Sequence, residues 1–159
     1  MLEFNAAGLL IPSSIIKSTL NEFEKYFAVE SPENIRKDLF DQYIIYKNNL
    51  KNVCGNDELR QWIDGSFVTK KLVPLDVDLV TFIPHEIAEN KEKELKEFIY
   101  PVSLAKYGLD CYIIVVYPES HKLHFAFRSD CSYWINQFDK TKPSKRHKRI
   151  PKGFLEIIV

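Results

Sequence analysis

Asp76 and Asp78 stand two positions apart in the run Pro74-Leu75-Asp76-Val77-Asp78-Leu79-Val80. Val77, Leu79, Thr81 and Ile83 alternate with Asp76, Asp78, Val80 and Phe82 between Pro74 and Pro84, which predicts a strand over residues 76–83. Side chains two apart on a strand share a face, so both carboxylates point the same way. Like charges held together repel unless something positive joins them. A hard divalent ion is the natural partner. Magnesium takes oxygen ligands and commonly combines one or two carboxylates with substrate phosphates. A third acid, Asp110, opens the next strongly apolar segment. Adjacent strands lie about 5 Å apart, so Asp110 can converge on the first pair. Three carboxylates suit two divalent ions, one activating an attacking oxygen and one steadying a triphosphate.

Gly65 and Ser66 precede the acid pair. Glycine allows a tight turn and close approach of a phosphate. A serine hydroxyl with nearby backbone amides can bind a phosphate oxygen. Lys70 and Lys71 lie in the intervening loop, where they either add positive charge over the phosphates or stay solvated. Gly65-Ser66, nine intervening residues and Asp76-Val77-Asp78-Leu79 resemble the signature of the DNA polymerase beta-like nucleotidyltransferase superfamily. Trp62 and Ile63 supply the hydrophobic approach to the glycine, and Asp110 corresponds to the third acid on a later strand. Within that superfamily the chain is most similar to small stand-alone prokaryotic proteins of uncharacterised function. Gly65-Ser66-Phe67-Val68-Thr69, the basic stretch, and Lys152-Gly153-Phe154-Leu155-Glu156-Ile157 match that group.

The resemblance implies a magnesium-dependent enzyme, with manganese as a substitute metal. It would transfer a nucleoside monophosphate from a nucleoside triphosphate, with ATP the expected donor, to a hydroxyl on a protein, an RNA or a small molecule. Asp76, Asp78 and Asp110 would be the catalytic and metal-binding acids. Gly65, Ser66, Lys70 and Lys71 would hold the nucleotide. The alternative is a non-enzymatic nucleotide-binding partner, or an antitoxin-like protein. The arginine common in antitoxin relatives a few residues after the serine is absent, and Lys70 or Lys71 stands in that region.

The elements that must position these residues follow from periodicity. A short extended segment is predicted over residues 8–12. A helix follows over residues 13–27, with Ile16, Leu20, Phe23 and Phe27 on one stripe. Ser31-Pro32 is a start signal for a second helix, carrying Ile35, Leu39, Tyr43, Tyr46 and Leu50 and ending at Gly55-Asn56. Together they make a helical N-terminal part, residues 13–54. Strands are predicted over residues 59–64, 109–117, 123–127 and 154–159, a surface helix over 85–98, and a short helix over 130–138. The basic stretch 140–152 reads as an exposed loop, either solvated or a patch for nucleic acid or an acidic protein surface. Helices and strands mix without a regular βαβ repeat. The expected architecture is therefore α+β, a nucleotidyltransferase-like mixed β-sheet flanked by helices, in one domain spanning 1–159.

Composition bounds the rest. The chain has 159 residues, 22 basic and 22 acidic, so global charge makes no strong case for nucleic acid or membrane binding. No segment approaches the roughly 18 apolar residues needed to span a bilayer. Cys54, Cys111 and Cys131 suit neither a disulfide framework nor a zinc site, and a cytoplasmic location is the expectation. His85, His121, His124 and His147 do not cluster with cysteines, and no catalytic histidine is expected.

Overall fold

Five strands form one mixed sheet in the order β3-β7-β4-β5-β6: β3 (Ile15–Lys17), β4 (Arg60–Asp64), β5 (Asp78–Pro84), β6 (Asp110–Val116) and β7 (Phe154–Ile158). The computed structural model describes residues 1–55, 58–143 and 148–159. β4 is antiparallel to both β5 and β7, while β5–β6 and β3–β7 are parallel. A two-stranded antiparallel ribbon, β1 (Glu3–Phe4) and β2 (Leu10–Ile11), precedes the sheet.

Both sheet faces are covered, which is why the inner strands β7, β4 and β5 are buried along most of their length. On one face, α1 (Leu20–Phe27) and α2 (Ile35–Val53) bring Phe23, Phe27, Tyr43, Tyr46 and Leu50 onto Ile63, Leu79, Ile83, Cys111 and Ile157. Buried polar groups on this face are paired: the Tyr43 hydroxyl donates to Gln61, which donates to Thr81. On the other face, α6 (His124–Phe138) lays Phe127, Cys131, Trp134, Ile135 and Phe138 against Trp62, Val80, Phe82, Ile114 and Phe154. Between β5 and β6 the chain runs through α3 (His85–Asn90), α4 (Glu92–Leu95) and α5 (Val102–Tyr107). Among the described residues, no helix is long and apolar enough to cross a membrane.

The mixed sheet flanked by helices agrees with the α+β expectation. Four local expectations are corrected. Residues 13–17 are not helical: Ile15–Lys17 pairs with Phe154–Glu156, and the helix starts only where Thr19 caps it by accepting a hydrogen bond from the Glu22 amide. Residues 123–127 form no strand. Their alternation is the first turn of α6, whose apolar positions 127, 131, 134, 135 and 138 recur at helical spacing. The expected helix over 85–98 is two short helices and a 3-10 turn. β5 starts at Asp78, so Asp76 and Val77 lie just before the strand.

Arg36, on α2, ties the helical layer to the loop that follows β4. It is 3% exposed. Its guanidinium donates to the carbonyls of Phe27 at 3.1 Å, Phe67 at 2.9 Å, Thr69 at 2.7 Å and Lys71. Five donors in a rigid fork suit this cluster of acceptors. Arg36→Leu strands those carbonyls and is expected to cost about 3 kcal/mol of stability, whereas Lys37→Leu on the exposed side of α2 changes it little. Chemical denaturation measures both; equal effects would contradict the clamp.

Candidate functional site

The register of the sheet puts three aspartates in one row. Asp64 is opposite Asp78 in the β4–β5 pair, and Asp78 is opposite Asp110 in the β5–β6 pair. The row ends the face covered by α6, next to the second row of Trp62, Val80 and Tyr112. Asp76 joins from the loop before β5. Asp64, Asp76 and Asp78 line a cleft of about 860 Å³, together with Gly65, Ser66, Lys70, Lys71, Lys142 and Lys152. This volume lies within the usual range of small-molecule sites.

Gly65 makes the close approach possible. Its φ of +90° belongs to the region that favours glycine, and a Cβ there would lie 2.8 Å from the Asp76 carbonyl oxygen and 3.0 Å from the Asp78 amide nitrogen. The Gly65-Ser66 turn therefore rests directly on the Asp76–Asp78 backbone. Ser66 then fixes the first acid. Its amide and hydroxyl both donate to Asp76 Oδ1, at 2.8 and 2.6 Å, and its hydroxyl accepts from the Leu75 amide at 2.7 Å. The serine expected to bind phosphate is thus engaged in holding Asp76.

A cation already joins the acid pair. Lys142 Nζ donates to Asp76 Oδ2 at 2.7 Å and to Asp78 Oδ1 at 3.3 Å, and lies 3.2 Å from Asp78 Oδ2. Asp78 Oδ2 is buried and has no aligned hydrogen-bond donor among the described residues. Burial pushes the Asp78 carboxyl up to about 6, with Asp76 and Asp110 adding repulsion and Lys142 opposing it. At Asp76 burial acts in the same direction, but the hydrogen bonds from Lys142 and Ser66 outweigh it and hold that carboxyl below the ordinary aspartate value. Two acids separated by one residue therefore differ in proton affinity because Asp78 is the more deeply buried and Asp76 receives the additional hydrogen bonds of Ser66.

Asp64 forms a second pair, with Lys152, whose ammonium also donates to the Phe138 carbonyl. Both partners are buried, at 5% and 4% exposure. Burial raises the Asp64 carboxyl, and the Lys152 ammonium pulls it back. This pair anchors the segment carrying Lys142. The same segment is held by pairing of Lys140 with Pro151 and by Arg149 donating to the carbonyls of Thr141 and Gln137. Within the stretch expected as an exposed basic loop, Lys142 is indeed exposed while its ammonium reaches Asp76 and Asp78, and Lys152 is buried against Asp64, because a buried carboxylate needs counter-charge. Lys145 and Arg146 of that basic stretch lie outside the described residues.

Asp110 arrives beside Asp78 as its place in the next strand predicts, but it is absent from the residues lining the cleft. Its Oδ1 accepts the Tyr112 hydroxyl at 3.1 Å. Lys70 lines the cleft while its ammonium lies 4.2 Å from the centre of the Phe4 ring, a cation–π contact. Lys71 lines the cleft with its carbonyl held by Arg36. Among the described residues, no group of three or more histidines, cysteines, aspartates and glutamates forms a ready metal cage. Asp76 and Asp78, whose oxygens share the Lys142 ammonium, are the residues that could hold a magnesium ion, with phosphate and water completing its shell.

Sequence reading missed Asp64, Lys142, Lys152 and Arg36. An acid inside Trp62-Ile63-Asp64 and a lysine against Gly153-Phe154-Leu155 are polar residues in apolar strands, a usable signal. Lys142 carries none, because only folding brings it 66 residues back to Asp76. The family described as "Family of unknown function (DUF6932)" matches residues 2–158. No curated protein and no solved structure matches the chain.

The raised Asp78 carboxyl has a defined sign in stability. Its favourable contribution is full below the ordinary aspartate value and is lost as pH rises through about 6. Asp78→Asn removes this titration. The stability advantage of the variant over wild type is expected to be larger at about pH 7.5 than at about pH 5, by about 1 kcal/mol. Thermal melts of both proteins across that range test it, and a pH-independent difference contradicts it.

Proposed function

The chain belongs to the DUF6932 family of unknown function, and from its site we propose a magnesium-dependent nucleotidyltransferase. The observation carrying this reading is the convergence of Asp76 and Asp78 within bonding distance of one cation, in a cleft large enough for a nucleotide. The resemblance of Gly65-Ser66 and Asp76-Val77-Asp78 to the polymerase beta-like superfamily supplies the reaction class.

In this reading Asp76 and Asp78 hold the metal. Bound magnesium neutralises charge on the triphosphate and its leaving group. Gly65 and Ser66 keep Asp76 placed. Lys70 and Lys71 stand at the cleft wall for the polyphosphate, and Ala6, Ala7, Leu9 and Leu75 supply apolar surface for the base. Asp110, next to Asp78 in the sheet but behind the cleft wall, would accept the proton of an acceptor hydroxyl on a protein, an RNA or a small molecule that reaches past Asp78. ATP is the proposed donor, manganese the substitute metal, and the cytoplasm the proposed setting. The reaction joins the acceptor oxygen to the α-phosphorus and releases pyrophosphate. A second reading is a nucleotide-binding partner protein without transfer, favoured by the Lys142 ammonium already bridging both acids.

Incubation with labelled nucleoside triphosphates, magnesium or manganese, and cell extract identifies the acceptor. Asp76→Asn and Asp78→Asn are each expected to reduce transfer on the order of a hundredfold or more with the fold retained, because each removes a ligand charge. Asp110→Asn is expected to reduce transfer more than nucleotide binding. Undiminished transfer in the first two variants would refute the site. Nucleotide binding that depends on both acids, with no transfer to any acceptor, would favour the partner-protein reading.

A further inference from the structure

Lys142 occupies the position that the proposed function gives to a metal ion. Its ammonium contacts both carboxylates, yet its side chain is 66% exposed, unlike the 6% of Lys152. A long lysine stem with an exposed approach can swing by side-chain rotation alone. The backbone around it is held at both ends by Lys152–Asp64 and by the Lys140–Pro151 and Thr141–Ile150 contacts, so the head moves while its base stays in place. The charges of the cleft support such a movement. Its lining includes three acids, Asp64, Asp76 and Asp78, and four lysines, Lys70, Lys71, Lys142 and Lys152. Asp64 and Lys152 neutralise each other, and Lys142 is shared by the remaining two acids. A metal ion seated on those acids would free the Lys142 ammonium within the same cleft as Lys70 and Lys71. Lys142 then shares the cleft with Lys71 and with Lys70, whose ammonium rests on the Phe4 ring and would have to leave it, and a polyphosphate is the ligand whose charge such lysines match.

We propose that Lys142 is a displaceable counter-ion that couples the two ligands of this site: it competes with the divalent cation for Asp76 and Asp78, and binds the polyphosphate once the cation has displaced it. This rests on the metal-site reading above. Its consequence is cooperativity. The metal alone must expel an ammonium that then has no partner, whereas metal and polyphosphate arriving together give the ammonium a phosphate oxygen. The coupling is reciprocal, so each ligand improves binding of the other.

Mn²⁺ binding by paramagnetic resonance, and binding of the Mn²⁺ complex of a nonhydrolysable ATP analogue by calorimetry, separate the roles. The proteins are wild type, Lys142→Met and Asp78→Asn. Lys142→Met is expected to bind free Mn²⁺ about tenfold more tightly than wild type, and the metal–nucleotide complex several-fold more weakly. Opposite signs are the signature, because a merely structural lysine would weaken both. If Asp78→Asn abolishes Mn²⁺ binding while Lys142→Met matches wild type for both ligands, the acid site stands and the counter-ion proposal is overturned. Mn²⁺ binding that is absent in wild type and Lys142→Met alike, or unaffected by Asp78→Asn, overturns the metal-site reading itself.

Discussion

Carboxylates in adjacent strands at one level of a sheet cannot all keep their charge without cations among them. Asp64, Asp78 and Asp110 occupy such a row, and Asp76 is pressed against it from the loop. The surrounding architecture answers this constraint. Lys152 is drawn into the interior to meet Asp64, Lys142 bridges Asp76 and Asp78, and the Tyr112 hydroxyl donates to Asp110. Both lysines come from the stretch between α6 and β7, so the sheet's acids hold two points of a segment whose composition reads as solvated loop.

The concentration of acids depends on backbone geometry that tolerates no side chain at Gly65. Behind this turn, the Arg36 guanidinium gathers four carbonyls, three of them from residues 67–71. The loop between β4 and β5 is thus tied to α2 on one side and to the acid pair on the other. The loop is also anchored by its own buried side chains, Phe67, Val68 and Val77, while Leu72 and Leu75 between them remain exposed at 69% and 80%.

Charge pairing of this kind also explains why a neutral chain can carry a strongly polarised cleft. The 22 basic and 22 acidic residues cancel globally, but the cleft collects lysines from residues 70–71, 142 and 152 around acids from residues 64–78. The concentration of charge is local, and net charge does not register it.

Periodicity and spacing determined much of this protein. The helical stripe of α2, the strand at Arg60–Asp64, the apolar strand at Asp110–Val116 and the final strand follow from local patterns of burial. Gly-Ser followed by Asp-x-Asp was legible as one unit, and Gly65, Ser66, Asp76 and Asp78 do meet. Short elements were less legible. Ile15–Lys17 gains its strand conformation from a partner more than a hundred residues away, and His124–Phe127 is helical because later residues of α6 share its face of the sheet. The counter-charges were decided by tertiary structure alone. A lysine's local sequence carries no record of which carboxylate it neutralises, since that pairing arises from strand register and burial. Only the folded chain, by removing Asp64 and Asp78 from water, makes the positions of Lys152 and Lys142 energetically necessary.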